Sequence, residues 1–308
     1  MGWAAKHREG LIGLGAYALI WGAAIALLAG LGSGAVGDGV AVMAFMGVGF
    51  SALAWLVTLG ERAPEAPVRR PGFELLAVLI YLAAYAVLFT GWGLSAFHAA
   101  FRTGRLEAVL LVGLKLLVHV AGPALLVLAV GGELRPLMRA RINTRGFWLG
   151  LIVIGAAVVG LTLLITPSLK QLAGLHAAAP MLAITIGGSF VWLAIEAGLC
   201  EEFLFRAVLQ TRLAAVFNSE TAAVATAALV FALVHVPGLW MRDGASVAGH
   251  SANLVQVIAY AIAVLSPAGL FLGFVWARTR SLLLVVLLHA CVDALPNAAE
   301  FARTWLGY

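Results

Sequence analysis

Three short motifs in the last third of the chain combine side chains that can activate water against a carbonyl group. The motifs are Glu201-Glu202-Phe203-Leu204-Phe205-Arg206, Phe231-Ala232-Leu233-Val234-His235 and His289-Ala290-Cys291-Val292-Asp293. Histidine and carboxylate side chains are the commonest general bases in proteins. A carboxylate beside a histidine also fixes the tautomer and orientation of its ring. These residue types therefore predict hydrolytic chemistry, with or without a metal ion.

The first motif places two adjacent carboxylates shortly before an arginine. On a helix, Glu202 and Arg206 share a face and can form an ion pair. Glu201 is rotated by about 100° from Glu202, so it points away from that ion pair. The motif fits a general base, Glu201, next to a structural ion pair. It also fits a buried salt-bridge cluster with no chemistry.

The second and third motifs each place a histidine at helical spacing from a partner. Phe231 and His235 share a helix face, and Pro237 ends the helix just beyond the histidine. His289 and Asp293 are also four residues apart, which allows a hydrogen bond between them. Each pair has a structural alternative, since a lone histidine on an apolar helix and a satisfied histidine–aspartate pair both occur in protein cores.

The elements that carry these motifs are transmembrane helices. Of the 308 residues, 63% are hydrophobic and only 11% are charged, whereas soluble domains carry about 25% charged residues. Apolar runs long enough to cross a bilayer recur along the chain. They occupy residues 10–31, 39–60, 73–95, 107–130, 147–166, 181–216, 221–236, 253–276 and 281–297.

This pattern predicts an all-α fold, a polytopic transmembrane helical bundle of about eight to nine spans. The run 181–216 exceeds one simple span, so it is either a long tilted helix or a helix broken near Gly198. With the N-terminus inside, thirteen basic residues fall on the inner side and five on the outer side. This bias favours a cytoplasmic N-terminus and, for nine spans, an external C-terminus. Because the basic residues lie in short loops without interleaved aromatic residues, we expect no nucleic-acid partner.

Charged side chains inside a membrane require a reason, because each costs about 2.5–3.5 kcal/mol at the bilayer centre on insertion scales. The six charged or titratable motif residues come from three different spans and need partners in lipid. We therefore expect them to converge on one hydrated cavity. Residues 171–308 are predicted to form the catalytic core, and residues 1–170 to form transmembrane helices that frame it.

The order of the motifs resembles that of the CPBP intramembrane proteases, a family that includes type II CAAX prenyl endopeptidases and bacterial bacteriocin-immunity proteins. The family carries EExxxR, then FxxxH, then HxxxN or HxxxD, and the resemblance covers about residues 180–297. It implies an intramembrane endopeptidase that acts on a membrane-embedded or membrane-associated polypeptide in the lipid bilayer. The high ratio of arginine to lysine favours a bacterial source, and hence the bacterial inner membrane.

The resemblance also implies roles for individual residues. Glu201 and His235 would activate the attacking water, and His289 with Asp293 would stabilise the oxyanion. Asp293 stands where the prenyl proteases typically have Asn, and an ionised carboxylate cannot donate a hydrogen bond to an oxyanion. Asp293 is therefore expected to orient His289 or to be protonated. The resemblance further implies that Glu202 and Arg206 hold the first helix in place, and that Phe231 has a structural role.

Cofactor and function both have alternatives at this stage. If zinc is bound, its ligands would be Glu201, His235 and His289, but no His-Glu-x-x-His motif demands a metal and no cofactor is otherwise implied. A proton-coupled transporter would also bury such residues, although the chain lacks the repeated halves typical of transporters. An inactive scaffold with a role in bacteriocin self-immunity is the third possibility.

Overall fold

The computed structural model describes residues 3–101, 104–241 and 248–308, and it describes side chains from residue 8 onward. The described residues are 81% helical and contain no β-strand. Eleven helices, which we label in chain order, make up the described part. They are α1 (Trp3–Gly30), α2 (Ala35–Val57), α3 (Pro71–Ala100), α4 (Arg105–Ala129), α5 (Arg145–Ile165), α6 (Ser168–Ala173), α7 (Ala179–Phe217), α8 (Glu220–Leu233), α9 (Val236–Met241), α10 (Leu254–Thr279) and α11 (Leu282–Leu306).

The described residues form nine helices long and apolar enough to cross a membrane, which confirms the predicted all-α membrane fold. The short helix α9 continues α8 within one span, Glu220–Met241, and α6 is a short connecting helix. Helix α7 is continuous from Ala179 to Phe217, so the break considered near Gly198 is absent. The helix instead contains a wider, π-type turn at Ala194–Leu199, and α11 packs directly against this turn.

Burial separates central helices from peripheral ones. The apolar windows of α1 to α5 are 17–28% buried within the protein, whereas those of α8, α10 and α11 are 61–67% buried. In α7 every residue from Phe203 to Gln210 is buried, which marks the second half of this helix as the centre of the bundle. A helix that is surrounded on all sides belongs to the core of a large protein. The first motif therefore lies at the start of this enclosed half of α7, and the other two lie on or directly after the enclosed helices α8 and α11.

Hydrogen bonds join several connecting segments at one end of the bundle. We call it the basic end because it contains Arg139, Arg141, Arg278 and Arg280. Arg278 donates to the carbonyl of Thr58 (2.8 Å), and Arg141 donates to the carbonyl of Thr279 (2.8 Å). Arg280 pairs with Glu220 and donates to the Thr211 hydroxyl.

These contacts join segments that the alternating topology predicts on the same side of the membrane. The side chains of Lys6, Arg102 and Arg242, which entered the charge count, lie outside the described residues.

Candidate active site

A buried ion pair ties the first motif to the second. The Glu202 carboxylate lies 3.0 Å from Nε of Arg206, and both side chains are fully buried. The Arg206 guanidinium also lies over the ring of Phe231, 4.8 Å from its centroid. Charged groups in an apolar interior need such partners. The i to i+4 pair predicted from the first motif is therefore present, and it contacts α8 through an aromatic ring.

Glu202 also contacts the third motif. Its second carboxylate oxygen accepts a hydrogen bond from Nδ1 of His289 at 2.8 Å, which joins α7 to α11. On the other side of the ring, Nε2 of His289 lies 3.2 Å from Asp293 and 3.9 Å from Glu201. Only an imidazolium carries a hydrogen on both nitrogens, so a positively charged His289 satisfies all these carboxylates together.

The histidine of the second motif has one nitrogen occupied and one available. Nδ1 of His235 donates to the backbone carbonyl of Phe231 at 2.6 Å. This hydrogen bond places the proton on Nδ1 and leaves the lone pair of Nε2 free to accept a hydrogen bond. His235 occupies the turn between α8 and α9, directly before the short helix that contains Pro237. The position predicted near a helix end is confirmed.

Of the six charged or titratable motif side chains, all but Glu202 and Arg206 line one cavity of about 650 Å³, a volume typical of small-molecule and substrate sites. Those two were expected there as well, but they form the buried ion pair outside the cavity lining. The titratable residues that line the cavity come from three helices, α2, α7 and α11, and from the turn after α8. They are Asp38, Glu201, His235, His289 and Asp293.

The rest of the cavity wall is mainly apolar. Helices α2 and α5 form much of it, including Met46, Phe50 and Val158. Phe45 and Ile165 also line the cavity and are 49% and 62% exposed, so the cavity reaches the surface of the bundle between α2 and α5.

Comparison with known protein families identifies the same part of the chain. Residues 183–295 match the model of the Rce1-like type II CAAX prenyl endopeptidases. This match confirms, for that segment, the resemblance expected from the three motifs. No curated protein and no solved structure matches the chain.

The matched segment begins in α7 and ends in α11, so it contains every motif residue. Helices α1 to α5 lie outside the match to the Rce1-like family. Nevertheless α2 and α5 contribute to the cavity wall, so the site combines the family segment with helices that the family model does not cover. The predicted division at residues 170 and 171 stays a prediction.

The three residues named for zinc do not fit a three-ligand metal site in this arrangement. Both nitrogens of His289 face carboxylate oxygens, so neither lone pair is available to a metal. Glu201 and Nε2 of His235 would then supply two ligands, fewer than the three of a typical catalytic zinc site. Among the described residues, no group of three His, Cys, Asp or Glu side chains has metal-binding geometry.

Asp38 is the cavity residue that the motif analysis missed. It lies in the first turn of α2 and is exposed at the surface as well as lining the cavity. It is the single charged residue between Glu9 and Glu61, and a charge within such a long apolar stretch is a usable signal. The signal could not be assigned to this site from the sequence, since nothing in α2 indicates which helix it packs against.

A second polar cluster lies on α4, where the chain around His119 packs against Cys200–Glu202. Nδ1 of His119 donates to the Lys115 carbonyl (2.9 Å), and Nε2 lies 2.9 Å from the Tyr85 hydroxyl. Lys115 forms an ion pair with Glu196 of α7 at 2.8 Å. The side chains of the cluster pair with one another, so the cluster supports α7 without lining the cavity.

Proposed function

We propose that this integral membrane protein is an intramembrane endopeptidase that hydrolyses a peptide bond by attack of an activated water molecule. One observation carries the proposal: Glu201, His235, His289 and Asp293 reach the same cavity from three separate membrane-spanning segments. The match to an endopeptidase family over this segment supports it. Buried titratable groups that meet in a concave, mainly apolar cavity are the features of an active site.

Glu201 is the proposed general base. Its carboxylate lines the cavity, and it is not part of the ion pair that occupies Glu202. A water molecule between Glu201 and the free Nε2 of His235 donates one hydrogen bond to each. Glu201 takes a proton as the water oxygen attacks the carbonyl carbon, a step for which a positioned base contributes roughly 10²–10⁴-fold.

His289 is the proposed oxyanion-stabilising group. Glu202 holds Nδ1, so the ring is oriented with Nε2 toward the cavity. Asp293 and Glu201 beside Nε2 favour the protonated ring in the resting site. When the substrate carbonyl becomes tetrahedral, the imidazolium N–H donates to the negative oxygen, and such fixed donors supply a large part of enzymatic rate enhancement. Asp293 thus acts through His289.

The reaction then completes without an acyl-enzyme. The proton that Glu201 took from water is transferred to the amine nitrogen, and the carbon–nitrogen bond breaks. One product ends in a new carboxylic acid, which keeps the second hydrogen of the water until it ionises to solvent, and the other ends in a new amine, so the atoms of substrate and water are all accounted for. The carboxylates and histidines supply the base and the oxyanion donor, so the proposed cycle needs no resident zinc.

The substrate class follows from the setting. A cavity that reaches the bundle surface within the apolar spans suits a membrane-embedded or membrane-associated polypeptide. We place the protein in the bacterial inner membrane with a cytoplasmic N-terminus, on the basis of the arginine-rich composition and the positive-inside bias. With this location, we propose that the natural substrates are other membrane peptides and not prenylated CAAX proteins.

Replacement of Glu201 by Gln tests the proposal. The wild-type protein, purified and reconstituted in liposomes, is incubated with a library of apolar membrane peptides, and products are read by mass spectrometry. Glu201→Gln should lower cleavage at least 100-fold while the melting temperature stays near that of the wild type.

Glu300→Gln is the matched control, because Glu300 is an exposed carboxylate on α11 outside the cavity, and it should cleave normally. Unchanged cleavage in Glu201→Gln, or no cleavage of any peptide by the wild type, would reject the proposal.

A further inference from the structure

The charges that line the cavity have mainly one sign. Three carboxylates line it, from Asp38, Glu201 and Asp293, and the balancing groups are His235 and His289. Among the described residues, no lysine or arginine lines the cavity. Even with a protonated His289, the three carboxylates outnumber the positive charges. In a cavity with low-dielectric walls, such an excess attracts cations and disfavours anions.

Asp38 lies apart from the other two carboxylates. It sits in the first turn of α2, about two helical turns before Phe45 and Met46, a distance of roughly 10–12 Å along the helix. Glu201 and Asp293 both stand beside His289 instead. Apolar side chains of α2 and α5 form much of the remaining wall. The cavity therefore has a catalytic polar region, an apolar stretch and a separate carboxylate at its surface.

Without Asp38, the first turn of α2 would be a favourable place for an anion. Helix N-termini present unpaired N–H groups and a positive partial charge, which favour bound carboxylates. Here that position already carries the carboxylate of Asp38. Among the described residues, the cavity offers no lysine or arginine to hold the free carboxylate of a substrate that ends close to the cleaved bond.

From this arrangement we infer that the cavity selects an apolar polypeptide segment that carries a positively charged group, and that Asp38 is the specificity-determining residue that contacts this group. The inference rests on the proposed function and names its substrate class.

The test uses one apolar membrane peptide that the wild type cleaves, with a single lysine placed at each position in turn. Glutamine and glutamate series at the same positions are the comparison. For the wild type, we expect kcat/KM to be about three- to fivefold higher for lysine than for glutamine at one position, as for a partly exposed ion pair, and lower for glutamate. Asp38→Asn should remove the lysine advantage, and Asp38→Lys should reverse the order of lysine and glutamate.

Controls separate this inference from the proposed function. Glu300→Gln removes an exposed carboxylate outside the cavity and should keep the wild-type preference. Binding of dansyl peptides with a reduced, uncleavable bond, measured by fluorescence anisotropy, reports charge selection even if no peptide is cleaved. Equal kcat/KM and equal affinity across the three series would overturn the inference, while continued Glu201-dependent cleavage would leave the proposed function intact. A lysine preference that survives in Asp38→Asn would overturn the role of Asp38.

Discussion

At the scale of residues, Glu202 is the junction of the three motifs. One of its carboxylate oxygens faces Arg206 and the other accepts from His289, while Arg206 lies over Phe231. The first motif thus contributes one carboxylate, Glu201, to the cavity and one, Glu202, to the support behind it. Adjacent residues can divide these tasks because a helix rotates successive side chains by about 100°.

Replacement of Glu202 by Gln should reduce both stability and activity. The substitution keeps the shape but leaves the fully buried Arg206 without its ion-pair partner, and breaking a buried pair costs about 3–5 kcal/mol. It also removes the charge that holds Nδ1 of His289. Thermal unfolding in detergent should show a clear fall in melting temperature, accompanied by slower peptide cleavage.

Glu201→Gln provides the contrast for this prediction, because Glu201 is only partly buried and has no ion pair with Arg206. We expect it to lose activity with little loss of stability. If Glu202→Gln melts at the wild-type temperature, the buried ion pair does not stabilise the fold and the support role of Glu202 is wrong.

At the scale of elements, the site depends on how closely α7 approaches α11. Gly198 permits this approach one turn before Glu201. A β-carbon at Gly198 would lie 2.7 Å from the carbonyl oxygen of Val286, one turn before His289. Real contacts of that kind are not found at such a distance, so the two helices would have to separate. The absence of a side chain therefore contributes to the 2.8 Å bond between Glu202 and His289.

Gly198→Ala should lower cleavage activity and destabilise the protein by about 1–3 kcal/mol, as expected for overpacking at a tight contact. Gly187→Ala is the matched control on the same helix, because a β-carbon added there would have no neighbour within 4 Å. Alanine is a better helix former than glycine, so the control should be neutral or slightly stabilising. Equal activity and stability in both variants would show that the approach of α7 to α11 does not limit the site.

At the scale of the whole molecule, enclosed helices carry the polar groups and more exposed helices complete the cavity. Helices α8, α10 and α11 are mostly buried, while α2 and α5 present apolar residues both to the cavity and to the bundle surface. This division explains how charged groups are tolerated within apolar spans. They face one another and a cavity large enough for water, while the apolar walls exclude lipid.

Metal content is a property of the whole molecule that the arrangement predicts. We expect purified, active protein to contain far less than one zinc ion per chain by inductively coupled plasma mass spectrometry, and chelators to leave cleavage unchanged. The reason is that both nitrogens of His289 face carboxylates. Stoichiometric zinc that a chelator removes together with activity, and that added zinc restores, would contradict this expectation.

The sequence by itself was sufficient to predict the membrane fold and to identify the motif residues. Span lengths follow from the thickness of the bilayer, and helices follow because every backbone group must be hydrogen-bonded in lipid. The pair of Glu202 and Arg206 and the proximity of His289 to Asp293 are local, since i to i+4 neighbours meet on any helix. The continuity of α7 through Gly198 was not decided by such local rules, because packing against α11 holds this turn in place.

Only the tertiary structure decided which side chains meet across helices. The bond from His289 to Glu202, the placement of Arg206 over Phe231 and the entry of Asp38 into the cavity all join residues far apart in the chain. Apolar helices of similar composition can pack in many ways, so hydropathy does not specify their neighbours or their rotation. Close contacts at particular small residues, such as Gly198 against Val286, and the pairing of buried charges select one packing. These contacts depend on three-dimensional complementarity that no local pattern encodes.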